Sequence, residues 1–292
     1  MEAKVTVPAI RARKGGGKIA ALTAYDYPTG WLVDRAGIEV ILVGDSLASA
    51  VLGYPSTLPV TLGEMLSAVR AVRRGVRRAL LVGDMPFGSY HGDPSRAVES
   101  AVAFLKAGAE AVKIEGGRKR APLVRRFVEN EIPVMGHIGL TPQSVHAMGG
   151  YRVQGKSQAE AEELVADAEA IESAGAFALV VEGVPAEVAG RITQTVSIPT
   201  IGIGAGPQCD GQILVLTDVL GLTVPAPPGD GHPFLPRFVR RYLDLRTAIA
   251  DAIGRFADDV RRGRFPADEE SYHATPETSA AERAALPARE LA

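Results

Sequence analysis

Three times along this chain an amphipathic stretch ends in Ala-Gly, and an apolar run then ends in a carboxylate. Ala36-Gly37 precedes Ile38 to Val43, then Gly44 and Asp45. Ala107-Gly108 precedes Ala109 to Ile114, then Glu115. Ala174-Gly175 precedes Ala176 to Val181, then Glu182. From glycine to acid the steps are 8, 7 and 7 residues. Glycine suits the left-handed position just past a helix end. Short apolar runs bounded by turn residues read as strands buried on both faces, which is the habit of parallel sheets.

Other runs fit the same mould: Ile19 to Ala24, Ala79 to Val82, Ile132 to Met135, Thr200 to Ile203 and, more weakly, Ile213 to Leu216. Helices fill the gaps. Asp93-Pro94 offers an N-cap acid followed by proline at the first helical position, with Val98, Ala101, Val102 and Leu105 as an apolar stripe. Ser157 to Glu160 is a capping box, with Leu164, Val165, Ala168 and Ile171 facing inward. Alternating strand and helix argues for an α/β parallel sheet. A chain of 292 residues suggests two domains at roughly 150 residues each, yet a closed barrel runs to about 250 residues as one. Seven or eight strand–helix units favour a (β/α)8 TIM barrel over an open doubly wound sheet. The expected layout is one barrel over residues 1–272, with a helix from Val239 to Phe256 near its end. An acidic, alanine-rich, weakly ordered tail follows over 273–292.

Charge narrows the function classes. Lys and Arg number 32 against 34 Asp and Glu, so no global basic field draws the chain to nucleic acid or a membrane surface. Aromatics are 5%, too few for a base-stacking surface. The one cysteine, Cys209, excludes an intrachain disulfide framework and fits a reducing compartment. No apolar run nears the roughly 20 residues of a membrane span. Met1 to Lys18 lacks the apolar core of a signal peptide. The expectation is a soluble, cytoplasmic protein.

Polar residues collect at the C-terminal ends of the expected strands: Asp45, Ser46, Asp84, Lys113, Glu115, His137 and Glu182. In an α/β barrel those ends form one face, where active sites sit. Asp45, Asp84 and Glu115 offer hard oxygen ligands, a chemistry suited to Mg²⁺ rather than Zn²⁺. A single acid in this place is more often a helix cap; four in the same place weigh against that reading. Lys113 and Glu115 share one strand face, either the lumen or the helix layer. A luminal lysine could hold an anionic substrate, or it could be a buried ion pair with no substrate role. His137 could donate to an oxyanion, transfer a proton or serve structure alone. Gly15-Gly16-Gly17-Lys18 runs into Ile19 and is no Walker A loop. Gly202 to Pro207 has proline in place of the third dinucleotide glycine, leaving a tight loop or an anion nest. The arginines at 70, 73, 74, 77 and 78 read as a solvated helix face.

Longer segments carry a family resemblance. They include Thr23-Ala24-Tyr25-Asp26, Val43 to Leu47, Leu52 to Tyr54, Ser56 to Thr61 and Asp84-Met85-Pro86-Phe87-Gly88-Ser89-Tyr90. Gly136-His137-Ile138-Gly139-Leu140-Thr141-Pro142-Gln143, Gly149 to Lys156 and Ile201 to Gly206 complete the set. With these the sequence closely resembles the ketopantoate hydroxymethyltransferase family from about Ala21 to Tyr272. The resemblance implies a barrel of the phosphoenolpyruvate mutase and isocitrate lyase type. It implies transfer of a hydroxymethyl group from 5,10-methylenetetrahydrofolate to 3-methyl-2-oxobutanoate, with Mg²⁺ as cofactor, giving ketopantoate on the way to pantothenate. It further implies Asp45, Asp84 and Glu115 as metal-site acids, and Asp45, Ser46, Asp84, Lys113 and His137 as keto-acid contacts. Glu182 would be the catalytic base, and the chain would self-associate, as a homodecamer in bacterial members. Ala48 to Ala50, Gly183 and the Pro/Gly-rich stretch from Val224 to Pro233 depart from the family's usual pattern. Two rival readings are a Mg²⁺-dependent C–C lyase of the same superfamily and a non-catalytic barrel subunit. The lone Cys209 disfavours the lyase branch that uses a Lys-Lys-Cys-Gly-His motif. The full acid set disfavours a binding subunit.

Overall fold

The computed structural model describes residues 3–225 and 235–273 and divides the chain into two compact units, Met1–Leu243 and Asp244–Ala292. In the first unit eight parallel strands close in sequence order: β1 Ile19–Thr23, β2 Val40–Val43, β3 Leu80–Asp84, β4 Ala111–Glu115, β5 Val134–Gly139, β6 Ala178–Glu182, β7 Thr200–Ile203 and β8 Gly211–Leu214. β1 pairs with both β2 and β8, which closes the (β/α)8 barrel. Each expected apolar run overlaps its strand. β2, β4, β5 and β6 begin two residues later than their runs, at Val40, Ala111, Val134 and Ala178. The leading residues Ala109, Ile132 and Ala176 are buried on the approach from the preceding helix, so burial extends past the ladder.

Period-two alternation sorts the strand residues into two cores. Ala21, Val40, Leu42, Leu80, Val82, Ala111, Met135, Ala178, Val180, Ile201 and Ile213 fill the lumen. Ile41, Val43, Leu81, Val112, Ile114, Val134, Leu179 and Val181 pack beneath the helices. Val5 and Ile10, flanking and within the short helix Val7–Arg11, join the luminal core and cover its N-terminal end. Asp210 ties that end together. It accepts the Gly15 N–H at 3.0 Å, the Thr200 N–H at 2.9 Å and the Lys14 ammonium at 3.0 Å. The glycine run before Lys18 is therefore part of a structural clamp, opposite the strand C-terminal ends.

The helix Pro94–Ala107 starts at Asp93 as expected, but buries Ala97, Ala101 and Phe104. Val98, Val102 and Leu105 are only partly buried. The face is rotated by one residue because Phe104 packs onto Gly83 of β3. A Cβ there would meet the ring at 2.4 Å. The helix Gln158–Ser173 has the expected reciprocal cap, Ser157 Oγ to the Glu160 N–H at 3.2 Å and Glu160 Oε2 to the Ser157 N–H at 3.0 Å. Leu164, Val165, Ala168 and Ile171 are buried. Of the arginine run, Arg73 reaches the Val76 carbonyl and Arg78 the carbonyls of Gly37 and Ile38. Those two side chains hold local structure.

In the second unit, the helix Leu245–Arg261 begins after Asp244, whose side chain accepts the Thr247 N–H. That cap moves the start later than the expected Val239. Residues 226–234, which hold most of the Pro/Gly-rich stretch, and the expected tail from 274 onward lie outside the described residues. No helix of the described residues is long and apolar enough to cross a membrane.

Candidate active site

Following the luminal parity of each strand upward, the apolar filling stops and polar groups begin. Leu80 and Val82 lead to Asp84 in β3. In β4, Ala111 leads to Lys113 and Glu115. Met135 leads to His137 in β5, and Ala178 and Val180 lead to Glu182 in β6. The barrel register sets them side by side. Asp84 is level with Lys113, Glu115 with His137, and Gly139 with Glu182. The open question about Lys113 is thereby resolved: it lies on the luminal face.

These groups touch. Lys113 Nζ lies 2.8 Å from Asp84 Oδ1, 3.6 Å from Glu115 Oε1 and 3.1 Å from His137 Nδ1. His137 Nδ1 is 3.5 Å from Glu115 Oε1, and its Nε2 is 3.2 Å from Glu182 Oε2. Asp45 follows β2 in a turn, and its N–H donates to Asp84 Oδ2 at 3.1 Å. Ser46 Oγ lies 2.8 Å from the hydroxyl of the buried Tyr25. Asp45, Asp84, Lys113, Glu115 and His137 are buried, whereas Glu182 is partly open.

Burial bears on the acidity of Asp45, Asp84, Lys113, Glu115 and His137, and the neighbours decide its outcome. Asp45 is pushed well above the usual carboxylate range by burial, then by the charges of Asp84 and Glu115. Burial raises Asp84 too, with Lys113 the main opposing influence. Glu115 goes the other way. Burial would raise it, but Lys113, His137 and the Gln143 N–H hold it low. Burial would strip the Lys113 proton, yet Asp84, Glu115 and Asp45 more than reverse this. Burial and Lys113 depress His137, but Glu115 and Glu182 outweigh them and push it up to about 9. The imidazole is then charged at neutral pH.

Two residues that sequence reasoning passed over complete the cluster. Gln143, in the turn after β5, donates its side-chain N–H groups to Asp45 Oδ2 at 2.9 Å and the Met85 carbonyl at 3.0 Å. Its backbone N–H donates to Glu115 Oε2 at 3.0 Å. Tyr90 donates its hydroxyl to Gln143 Oε1 at 2.6 Å and accepts the Glu115 N–H at 3.1 Å. Both fall inside the motif segments, but in loops, where no strand periodicity fixes a side-chain direction. By contrast His146 is exposed. In Gly202 to Pro207, Gly204 packs against Phe238 within a tight loop.

The donor set fits a divalent cation bound through few protein ligands. Among the described residues, no three His, Cys, Asp or Glu side chains are grouped closely enough to hold an ion alone. However, among the described residues the buried oxygens Asp84 Oδ1 and Glu115 Oε1 are met only by the shared cations Lys113 and His137, and burial with the charges of Asp84 and Glu115 pushes Asp45 up. With all ionised, Asp45, Asp84, Glu115 and Glu182 exceed Lys113 and protonated His137 by two negative charges. Mg²⁺ commonly takes one or two carboxylates and completes its shell with water and substrate. Asp45 and Asp84 supply such a pair.

Residues 4–268 match the family model for ketopantoate hydroxymethyltransferase. The chain belongs to the ketopantoate hydroxymethyltransferase family. It is 57% identical over 263 residues to the 3-methyl-2-oxobutanoate hydroxymethyltransferase of Koribacter versatilis, covering 90% of this chain and 86% of that one. To the enzyme of the same name from Ignicoccus hospitalis it is 53% identical, covering 91% and 98%. Two solved structures share the fold of this chain. Phosphoenolpyruvate phosphomutase from Streptomyces platensis has a TM-score of 0.57 at 16% identity, covering 92% of each chain. Phosphonopyruvate hydrolase in complex with oxalate and Mg²⁺ has a TM-score of 0.55 at 17% identity, covering 90% and 92%. At those identities the likeness establishes the fold alone.

Proposed function

We propose that this chain transfers the one-carbon unit of 5,10-methylenetetrahydrofolate to C3 of 3-methyl-2-oxobutanoate, with water supplying the hydroxyl, giving ketopantoate (2-dehydropantoate) and tetrahydrofolate. The observation that carries this reading is the His137–Glu182 contact at the polar rim, beside the buried Asp45–Asp84–Lys113 cluster. Forming the new C–C bond requires C3 to lose a proton, and a carboxylate is a weak base for a C–H acid. Asp45 and Asp84 would hold Mg²⁺, with Glu115 adding a third negative charge. When bound, the cation supplies Lewis-acid stabilisation to the oxygen that gains charge as C3 is deprotonated.

The chain's own residues do the rest. Lys113 and charged His137 attract the keto-acid carboxylate into a site of otherwise negative potential. Ser46, placed by Tyr25, offers a hydroxyl at the same rim. Glu182 takes the C3 proton, and His137 Nε2 keeps its carboxylate turned toward the lumen. Apolar side chains fill the lumen below, so this chemistry has no solvent path from beneath. The lyase reading is disfavoured by the identity gap, 57% to a 3-methyl-2-oxobutanoate hydroxymethyltransferase against 17% to 2,3-dimethylmalate lyase.

Glu182→Gln tests the assignment. The variant keeps size and loses charge and basicity. Exchange of the C3 proton of 3-methyl-2-oxobutanoate with D2O, followed by NMR in the presence of Mg²⁺, should fall at least ~100-fold. Calorimetric affinity for the keto acid should persist. Exchange at the wild-type rate would overturn the base assignment.

A further inference from the structure

Gln143 is buried and spends all its polar capacity on the site. Both side-chain N–H groups are donated, one to Asp45 Oδ2 and one to the Met85 carbonyl. Its oxygen receives the Tyr90 hydroxyl. The orientation of this amide follows from its partners' chemistry. A peptide carbonyl only accepts, so the NH2 group must face Met85, and the same NH2 then meets Asp45 Oδ2. Tyr90 Oη already accepts the Glu115 N–H, which leaves its own proton for Gln143 Oε1. A flipped amide would set oxygen against the Met85 carbonyl and NH2 against the hydroxyl. Burial also pushes the Tyr90 phenol up, so it keeps its proton throughout the neutral range.

The consequence falls on Asp45. Its Oδ2 is occupied by Gln143, while Oδ1 has no protein hydrogen-bond partner among the described residues. A carboxylate on a turn would otherwise rotate freely about its last bond and present either oxygen. We propose that Gln143, locked by Tyr90, is a positioning residue that fixes the Asp45 carboxylate in one rotation and reserves Oδ1 for the divalent cation. This rests on the reading of Asp45 and Asp84 as the cation's ligands. The same glutamine reaches Glu115 through its backbone N–H. One turn therefore couples Asp45 and Glu115 to a single hydrogen-bond chain.

Groups that orient a metal-binding side chain typically contribute 10- to 100-fold in affinity. The test is Mn²⁺ binding to the full-length protein without substrates, read by the EPR signal of free Mn²⁺. Gln143→Met keeps length and removes both donors; its Mn²⁺ Kd should rise about tenfold. Tyr90→Phe keeps the ring and frees the amide; its Kd should rise about threefold, within the range of a single lost hydrogen bond. The double variant should bind less weakly than the product of the two single effects predicts, because Tyr90 acts on Asp45 through Gln143. A purely structural role would lower the melting temperature and leave the Mn²⁺ Kd unchanged. Wild-type Kd values in both single variants would overturn the positioning role, as would effects that multiply fully. If Gln143→Met does not fold, Tyr90→Phe alone decides: a wild-type Kd overturns the proposal. Asp45→Ala separates the layers. If the wild type binds Mn²⁺ and Asp45→Ala does not, the metal reading stands however Gln143→Met behaves. A wild type that binds no Mn²⁺ overturns both.

Discussion

Among the described residues, Lys113 is the one lysine buried in the lumen, and its removal is the sharpest test of the site's electrostatics. Its side chain is 4% exposed, with Nζ at 2.8 Å from Asp84 and 3.6 Å from Glu115. Lys113→Met preserves most of the volume and deletes the charge. Breaking a buried pair by removing one partner costs about 3–5 kcal/mol, because the other charge is left without compensation. Here more than one acid loses its counter-charge, so the upper half of that range applies at neutral pH without metal. The loss has a definite pH dependence. Burial already raises Asp84, and Lys113 is the strongest influence holding it down; without Lys113 it rises further. A carboxyl raised on folding stabilises the native state below its unfolded pKa of about 4 and loses that contribution as pH rises through the folded value. The gap between wild type and variant should therefore be small near pH 4 and widen toward pH 8. Urea unfolding in EDTA, followed by circular dichroism at several pH values, measures it. A gap under about 1 kcal/mol at neutral pH, or one that stays constant with pH, would refute the reasoning.

Two further substitutions probe the frame around the site. Gly139→Ala places a Cβ 2.2 Å from the Glu182 carbonyl at a residue with φ of +91°. Strain of about 1–3 kcal/mol should displace β6's end and cut kcat by roughly 100-fold; wild-type turnover in a steady-state assay would contradict this. Asp210→Asn, at the barrel's opposite end, should cost about 2–3 kcal/mol at pH 7, since donors now meet an amide. Asp210 is held low because the Thr200 and Gly15 N–H groups and Lys14 outweigh its burial. Its contribution is present above the unfolded carboxyl pKa and is lost as pH falls through the folded one, so the urea-unfolding deficit should shrink below about pH 4. A deficit unchanged down to pH 3, on the far side of that ~4 threshold, would count against the clamp.

The barrel was legible because a parallel strand buried on both faces leaves a short, bounded apolar run, and eight of them recur here. What the pattern lacked was parity. An unbroken run such as Ala-Leu-Val-Val at 178–181 does not say which residues face the lumen. The rotated face of Pro94–Ala107 shows the same limit. An apolar stripe through Val98 and Leu105 is reasonable on an isolated helix, and only the space above Gly83 selects Phe104 instead. Helix ends were clearer, because Asp93 and Ser157 make caps whose chemistry is local.

The site divides along the same line. Asp84, Lys113, Glu115, His137 and Glu182 could be grouped in advance because strand ends in a barrel share one face, and each is a side chain whose burial needs a reason. Gln143 and Tyr90 gave no such signal. A neutral amide and a phenol in loops are ordinary on any surface, and their importance lies wholly in what they touch. Yet they determine how the charged set works. The register places Asp84 beside Lys113 and Glu115 beside His137, so the cations are shared between acids on neighbouring strands. Asp45 sits past the end of β2, outside that ladder, and takes its orientation from Gln143 instead. The acid most strained by its neighbours is thus the one held by a neutral donor rather than a lysine. A neutral donor can fix a carboxylate without cancelling its charge, which leaves that charge available to a cation and its keto-acid partner.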